Sequence, residues 1–345
     1  MKPGLWEYLL KRLLLAAFTL FLILLVSYVL LRFAPGDPVK SSMIGSGGAG
    51  ATGLSVDKPE LTENEVLKKK LNFDKPVIVG FWLWLKDVVC HGDFGTSASF
   101  DKGRPVTELI LERLPVTLRL NLCAIFLIYL FAIPIGLFSG VFPEGKFDKF
   151  TTAVLFFLFS LPVLWVALSL QALVCKGGLF PVFPLKGLEP SATEGLSTWA
   201  IARETAMHYI LPVLCMTYAG FAGLSRFTRS AMIDCLHQEY IRTARAKGVP
   251  EIDIVLSHAF RNTLVIMVTL LAGLLPGLIS GSLLIEYIFA IPGMGELSMQ
   301  ALSSRDIPLI MALFSFSGFL TLAGMLISDI LYVFVDPRIS FRSRI

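Results

Sequence analysis

The chain has 345 residues, 55% of them hydrophobic and 16% charged, with mean hydropathy +0.72 and a formal net charge of +4. Soluble domains carry about 25% charged residues, so this composition excludes an ordinary soluble protein, and the small positive charge gives no case for a nucleic-acid partner. Cys90, Cys123, Cys175, Cys215 and Cys235 form an odd set without C-x-x-C spacing and read as packing residues; a Cys90–Cys175 bridge would need both to face the outside.

The first apolar run, 13–31, follows Lys11 and Arg12. No A-x-A cleavage site follows it, so residues 1–31 read as a cytoplasmic N-terminus with an uncleaved first span. Residues 32–116 are the longest polar region. The positive-inside rule fails for loops beyond about 60 residues, so its lysines do not decide its side, and the region is expected outside. Within it, 41–55 is Gly/Ser-rich and reads as a flexible stretch. Residues 61–71 read as a short charged helix. Phe81, Trp82, Trp84 and Leu85 make an aromatic cluster suited to an interfacial or packed surface.

The second span is expected over 115–141, with Pro115 in the first turn, where its missing N–H costs nothing. The third is expected over 150–174, after an inside turn flanked by Lys146 and Lys149. A Pro/Gly-rich outer loop (175–208) leads to a fourth span at 209–224. Then come Arg226, Arg229, Arg242, Arg245, Lys247 and Arg261, placed inside both by alternation and by charge. A fifth span (264–289), an outer turn at Ile291-Pro-Gly-Met-Gly295, a sixth span (307–335) and an inside tail (336–345) with Arg338, Arg342 and Arg344 complete the chain. The expected fold is an all-α integral membrane protein of about six transmembrane helices, with a core at 117–335 and a cytoplasmic loop at 226–262. Pro134, Pro162, Pro212 and Pro276 lie in or at the ends of spans, where neighbouring helices can satisfy the freed carbonyls.

No G-x-x-x-x-G-K-[ST] occurs, so the chain is not expected to hydrolyse ATP. Gly45-Ser-Gly-Gly-Ala-Gly50 fits G-x-G-x-x-G but lies in a linker, without the βαβ context that gives this pattern meaning. H-E-x-x-H and G-x-S-x-G are absent, and the four histidines have no ligand spacing, so neither a metal site nor catalytic residues are expected. Glu286 and Asp329 fall late in the fifth and sixth spans. Intramembrane acids are functional suspects by default; near span ends, where water reaches, an interfacial or helix-pairing role is expected. No acid falls mid-span, which argues against the alternative of an ion-coupled secondary transporter. A non-transporting membrane scaffold is the other alternative.

The polar loop has helical periodicity. Ile233, Leu236, Tyr240 and Ala244 recur at three- and four-residue steps and form one apolar face, with Arg242 and Arg245 off it. Gly248 ends this helix by accepting positive φ. Pro250 opens a second helix in its first turn, with Glu251 and Asp253 near its N-terminal dipole. Ala244, Ala246 and Gly248 are small enough to let another surface approach. Periodicity alone does not choose between a docking partner and anionic lipid headgroups.

The segment Glu239-Tyr-Ile-Arg-Thr-Ala-Arg-Ala-Lys-Gly248, followed by His258-Ala-Phe-Arg-Asn262, resembles the coupling loop of ATP-binding-cassette importer permeases. It resembles specifically the B-type subunit of the dipeptide/oligopeptide/nickel permease family. The general family loop reads E-A-A-x-x-x-G with I-x-L-P further on; this chain has Arg242-Thr-Ala244 at E-A-A, and His258, Phe260 and Arg261 at I, L and P. The peptide subgroup carries the form seen here. Pro35-Gly-Asp-Pro38, Gly92-Asp-Phe-Gly-Thr-Ser97, Arg113-Leu-Pro-Val-Thr117, Glu286 with Phe289, Pro292-Gly-Met-Gly295 and Asp336-Pro-Arg338 extend the likeness over nearly the whole chain, apart from 41–55.

The resemblance implies a type I importer permease fold in a bacterial inner (cytoplasmic) membrane. It implies a second, C-type permease subunit, two cytoplasmic ATPases that hold ATP and Mg, and an extracytoplasmic binding protein. No cofactor is expected on this chain. The cargo class is peptides or related small solutes. The ATPase-coupling residues would be Glu239, Tyr240, Arg242, Thr243, Ala244, Arg245, Ala246, Lys247, Gly248 and Pro250. Glu286, Pro292, Gly293 and Asp329 would be gate-proximal or structural.

Overall fold

The computed structural model describes residues 3–33, 75–188, 197–274 and 282–335. They are predominantly helical, with no strand among the described residues. The elements are α1 (Pro3–Phe33), α2 (Val77–His91), α3 (Val106–Val141), α4 (Lys146–Ser160), α5 (Val163–Val174), α6 (Thr198–Leu236), α7 (Glu239–Ala246), α8 (Glu251–Asp253), a π-helix (Ile254–Phe260), α9 (Arg261–Leu274), α10 (Leu283–Ile288), α11 (Met294–Ser304) and α12 (Ile307–Val335). The expected flexible stretch at 41–55, the helix at 61–71, the Pro35–Pro38 motif and the 336–345 tail lie outside the described residues.

Stretches of α1, α3, α6 and α12 are long and apolar enough to cross a membrane: Leu10–Phe33, Val106–Val141, Thr198–Leu236 and Ile307–Ile330. Among the described residues the total is five when α4 and α5 are counted as one bent span. The fifth expected span maps onto α9 and α10, and 275–281 between them, with Pro276, lie outside the described residues.

Three expected elements differ from those observed. Pro115 does not open the second span: α3 begins at Val106, and Pro115 sits within it. The additional turns are held by Arg104, which reaches Glu108 and Glu112, each at 2.8 Å, along one helix side. The third span is not one straight helix. α4 and α5 meet at 93° around Leu161-Pro162. Pro162 cannot donate a helical hydrogen bond, and the Leu161 carbonyl accepts one from the Tyr218 hydroxyl of α6 at 2.8 Å. The fourth span is 39 residues long and starts at Thr198, where Ser197 Oγ accepts the Ala200 N–H at 3.3 Å.

The chain forms two compact units. One comprises 1–115 with 296–323. In it Leu24 and Tyr28 of α1 pack on Phe81 and Trp84 of α2 and on Ile307 and Met311 of α12. Trp82, on the opposite side of α2, is exposed, so the aromatic cluster is half packing and half surface. Asp306 is fully buried there. Its Oδ2 accepts the Ser97 hydroxyl at 2.5 Å and the backbone N–H groups of Ala98, Ser99 and Phe100, each at 3.0 Å. Its Oδ1 accepts the Leu309 N–H at 3.2 Å, capping α12.

The other unit comprises 116–295 with 324–345. Here α3 and α6 come together through Gly136 and Gly140, a G-x-x-x-G pair. A Cβ at Gly136 would stand 2.6 Å from Thr228 Cβ, and one at Gly140 would stand 2.7 Å from Met232 Cβ, so only glycine permits this approach. α4 joins the same end of α6 through an ion pair described below. The five cysteines are unpaired; Cys175 is buried and Cys90 exposed.

Candidate functional site

α6 carries the candidate site at its C-terminal end. It ends at Leu236, and the chain turns at His237-Gln238 before α7 begins at Glu239. The expected single helix from Ile233 is therefore two: Ile233 and Leu236 belong to α6. The buried face of α7 is also shifted. Ile241 and Ala244 are buried, whereas Tyr240 is exposed. Ile241 and Ala244 pack with Met232 and Cys235 of α6 and with Ile254 and Ala259 of the π-helix. Ala244 is thus occupied by its own chain, which leaves Ala246 and Gly248 as the small exposed positions of this face.

The end of α7 is as expected. Gly248 has φ +77°. The Val249 N–H reaches the Ala244 carbonyl at 3.2 Å and the Gly248 N–H reaches the Arg245 carbonyl at 3.0 Å, the two bonds of a Schellman closure. Pro250 stands at the N-cap of α8, one position before the first turn. Beyond three α-helical residues the backbone widens into the π-helix, a geometry that often marks functional sites.

Charge on this lever is largely settled within the chain. Arg242 pairs with Glu239 at 2.8 Å, and Arg245 reaches across the Gly-Pro bend to Glu251. The Arg245 guanidinium holds the Glu251 carboxyl below the usual carboxylate range. The Tyr240 hydroxyl accepts from Asn262 Nδ2 at 2.8 Å, joining α7 to α9. Thr243 Oγ1 donates to the Glu239 carbonyl at 3.0 Å.

Two helix turns back along α6 from its C-terminal end lies an ion pair that sequence reasoning missed. Asp148 of α4, nearly fully buried, receives Arg229 of α6 through two bonds of 2.6 and 2.7 Å. Asp148 Oδ2 also accepts the Glu144 N–H at 2.8 Å, holding a turn in which Glu144 has φ 63°. In the sequence Arg229 reads only as one of several inside charges. An acid in the first turn of α4, three residues after Gly145, was the available signal.

The second set of expected residues surrounds Glu286. It is fully buried, contrary to the expected water access. Its Oε1 accepts the Thr117 hydroxyl at 3.0 Å and its Oε2 the Gly295 N–H at 2.6 Å. Thr117 Oγ1 in turn accepts the Met294 N–H at 2.8 Å. A Cβ on Gly293 would stand 2.6 Å from Thr117 Oγ1, so the Pro292-Gly-Met-Gly295 turn closes on the carboxylate only with glycine there. The sequence named both halves of this knot but not their meeting. Asp329 is half-buried, late in α12. Asp306 was missed altogether; an Asp before Ile-Pro at a helix start is a capping signal.

Several helices long and apolar enough to cross a membrane, one of them carrying a polar pair of short helices at its end, describe a multi-pass membrane protein. The family described as "Binding-protein-dependent transport system inner membrane component" matches residues 132–341, and its N-terminal counterpart matches 5–121. The chain belongs to this family. It is 37% identical over 335 residues to the oligopeptide transport system permease protein AppB of Bacillus subtilis (strain 168), covering 97% of this chain and 99% of the relative. It is 32% identical over 370 residues to the inner membrane ABC transporter permease protein YejB of Escherichia coli O157:H7 (98% and 99% covered). It is 32% identical over 335 residues to the oligopeptide transport system permease protein OppB of Haemophilus influenzae (97% and 99% covered). The protein is accordingly a multi-pass inner-membrane permease subunit of an ATP-binding-cassette importer and does not itself catalyse ATP hydrolysis.

Proposed function

We propose that this permease imports peptides or related small solutes, handed over by an extracytoplasmic binding protein, and that residues 239–250 are the seat of a cytoplasmic ATPase. The names of the relatives support the peptide class. A second, C-type permease and two ATPases, which hold ATP and Mg, complete the assembly. In this reading 32–116 is extracytoplasmic, 117–335 is the permease core and 226–262 faces the cytoplasm.

The observation that carries the coupling role is the anchoring of α7. Its buried face, Ile241 and Ala244, is locked to α6 and the π-helix, while Ala246, Lys247 and Gly248 are exposed. A partner that moves the exposed face must move α6 with it. α6 is tied to α4 by Asp148–Arg229 and to α3 by the Gly136–Gly140 contact, so the displacement reaches three membrane helices. ATP-driven closure of the ATPases shifts the inward–outward equilibrium only by its differential contact with the two states, and a stiff lever preserves that difference. Glu286, Pro292 and Gly293 serve as a structural closure near the gate, and Asp329 serves as a helix-pairing residue in the same role.

The test is Gly248→Trp compared with Gly248→Ala in the reconstituted complex. Both carry the strain of positive φ, about 1–2 kcal/mol, and a Cβ here meets nothing within 4 Å. Only tryptophan adds bulk to the docking face. Trp is expected to abolish stimulation of ATPase activity by loaded binding protein, and Ala to retain most of it. Normal stimulated turnover by Gly248→Trp would overturn the coupling role.

A further inference from the structure

Beside α7 lies a cavity of about 350 Å³ between the lever and the π-helix. Besides Tyr240, its polar lining is Thr243, Lys247, Ser257, His258, Arg261 and Asn262. These supply two fixed cationic groups, an imidazole, two hydroxyls and an amide, and no carboxylate belongs to the lining. The contrast with the neighbouring charges is sharp. Arg242 and Arg245 are each committed to a carboxylate of this chain. The side chains of Lys247, His258 and Arg261 have no such partner among the described residues. Tyr240 and Asn262, joined by a hydrogen bond, line both this cavity and an adjoining one, and Asp234 belongs to the lining of the adjoining one. Two permanent cations, Lys247 and Arg261, lining an open space with no carboxylate in that lining describe an anion site.

We propose that this cavity is a socket for a carboxylate side chain of the partner ATPase. The proposal rests on the reading of 239–250 as the ATPase seat and sharpens it: Lys247, His258 and Arg261 hold the partner, while Arg242 and Arg245 stiffen the lever. Charge complementarity selects the occupant, and the geometry selects a planar acceptor. Arg261 presents a fork that matches a carboxylate through two parallel bonds, and Lys247 adds a point charge. The socket opens beside the exposed end of α7, where Gly248 and Ala246 admit the partner's backbone. The site is made of segments that the lever itself positions. Thr243 and Lys247 come from α7 and its cap, Ser257 and His258 from the π-helix, and Arg261 and Asn262 from the start of α9.

The experiment measures dissociation of the cognate ATPases from the complete importer, reconstituted in phosphatidylcholine vesicles, as a function of salt. Lys247→Gln with His258→Gln and Arg261→Gln is expected to accelerate dissociation at low salt by at least about tenfold and to flatten the salt dependence. Lys247→Gln alone, at an exposed position, carries no folding risk and is expected to give part of the effect. Arg242→Gln with Arg245→Gln is expected to cost several-fold less. Equal losses from the double and triple variants would mean that general positive charge holds the partner, and would overturn the socket. Wild-type dissociation and salt dependence in the triple variant would overturn it too. If the triple variant differs from wild type only in vesicles rich in phosphatidylglycerol, the cavity holds a lipid phosphate and the proposal falls. Gly248→Trp separates this failure from that of the underlying reading: release of the ATPases by Gly248→Trp but not by the triple variant leaves the seat standing without the socket.

Discussion

Two ion pairs on the same limb of the molecule have the same chemistry and opposite settings. Asp148–Arg229 lies where α4 meets α6, with Asp148 almost wholly buried. Arg245–Glu251 spans the Gly-Pro bend of the lever, with both side chains about half exposed. In the first, Asp148 has been taken out of water while Arg229 keeps about a third of its side chain exposed (32%), so the pair is costly to break chiefly because the carboxylate has no other cation among the described residues. In the second, water replaces whatever the pair loses. The buried pair therefore fixes which helices move as a body, and the exposed pair trims the shape of the part that is touched.

The comparison breaks most readily at the buried end. Asp148→Asn leaves Arg229 partly buried beside a neutral amide and is expected to cost roughly 2–4 kcal/mol. Thermal unfolding of the purified complex would register it. Asp148→Arg with Arg229→Asp should recover part of that loss, and no recovery would mean that the cost lies in packing and not in the pair. Gly140→Leu, which drives a side chain into Met232 and the Arg229 carbonyl, is expected to cost about 1–3 kcal/mol and to lower stimulated ATPase turnover more than basal turnover. Glu286→Gln keeps the shape of the knot, but its single amide oxygen can accept from only one of the two donors, the Gly295 N–H or the Thr117 hydroxyl, and its nitrogen faces the other. Loss of one buried bond of this kind costs about 1–3 kcal/mol, read as a lower midpoint of thermal unfolding.

The smallest effect is expected at the exposed pair. Because Arg245 lowers the Glu251 pKa below its ordinary 4.5, the favourable contribution is complete above that value and fades as pH falls through the lowered one. Glu251→Gln should leave unfolding unchanged in its pH dependence between neutral pH and pH 5. The small deficit in stability relative to wild type should be constant over that range and should disappear in more acid solution, where the wild-type carboxyl is protonated as well. A marked difference at neutral pH would show the bend to be held more tightly than its exposure indicates.

Much of this molecule was legible because membrane helices advertise themselves by length and apolarity: α12 begins and ends where expected, and α1 ends near its expected end although it begins ten residues earlier, at Pro3. Gly248 was legible for a local reason: an αL cap needs little context. The bend at Leu161-Pro162 was not. Apolar composition is continuous across it, and Tyr218, which satisfies the freed carbonyl, is remote in sequence. The lever's buried face was misassigned by one position because the pattern was read through the break at His237-Gln238, where periodicity restarts. Asp148, Asp306 and the Thr117–Glu286 contact escaped because a carboxylate's partners are set by tertiary structure. Arg242 and Arg245 show the same limit from the other side: a charge on an exposed helix reads as available to a partner until its own neighbours are seen.

The π-helix at Ile254–Phe260 has a consequence for how this chain tolerates change in length. A π turn closes each hydrogen bond over five residues where an α turn uses four, so the stretch holds a residue that an α-helix of the same height would not. Deleting one residue there can be absorbed by tightening to α geometry, leaving α9 facing as before. The same deletion in the middle of α6 would swing every later side chain about 100° around the axis. Natural insertions and deletions of one residue should therefore gather at this stretch and spare the long helix before it.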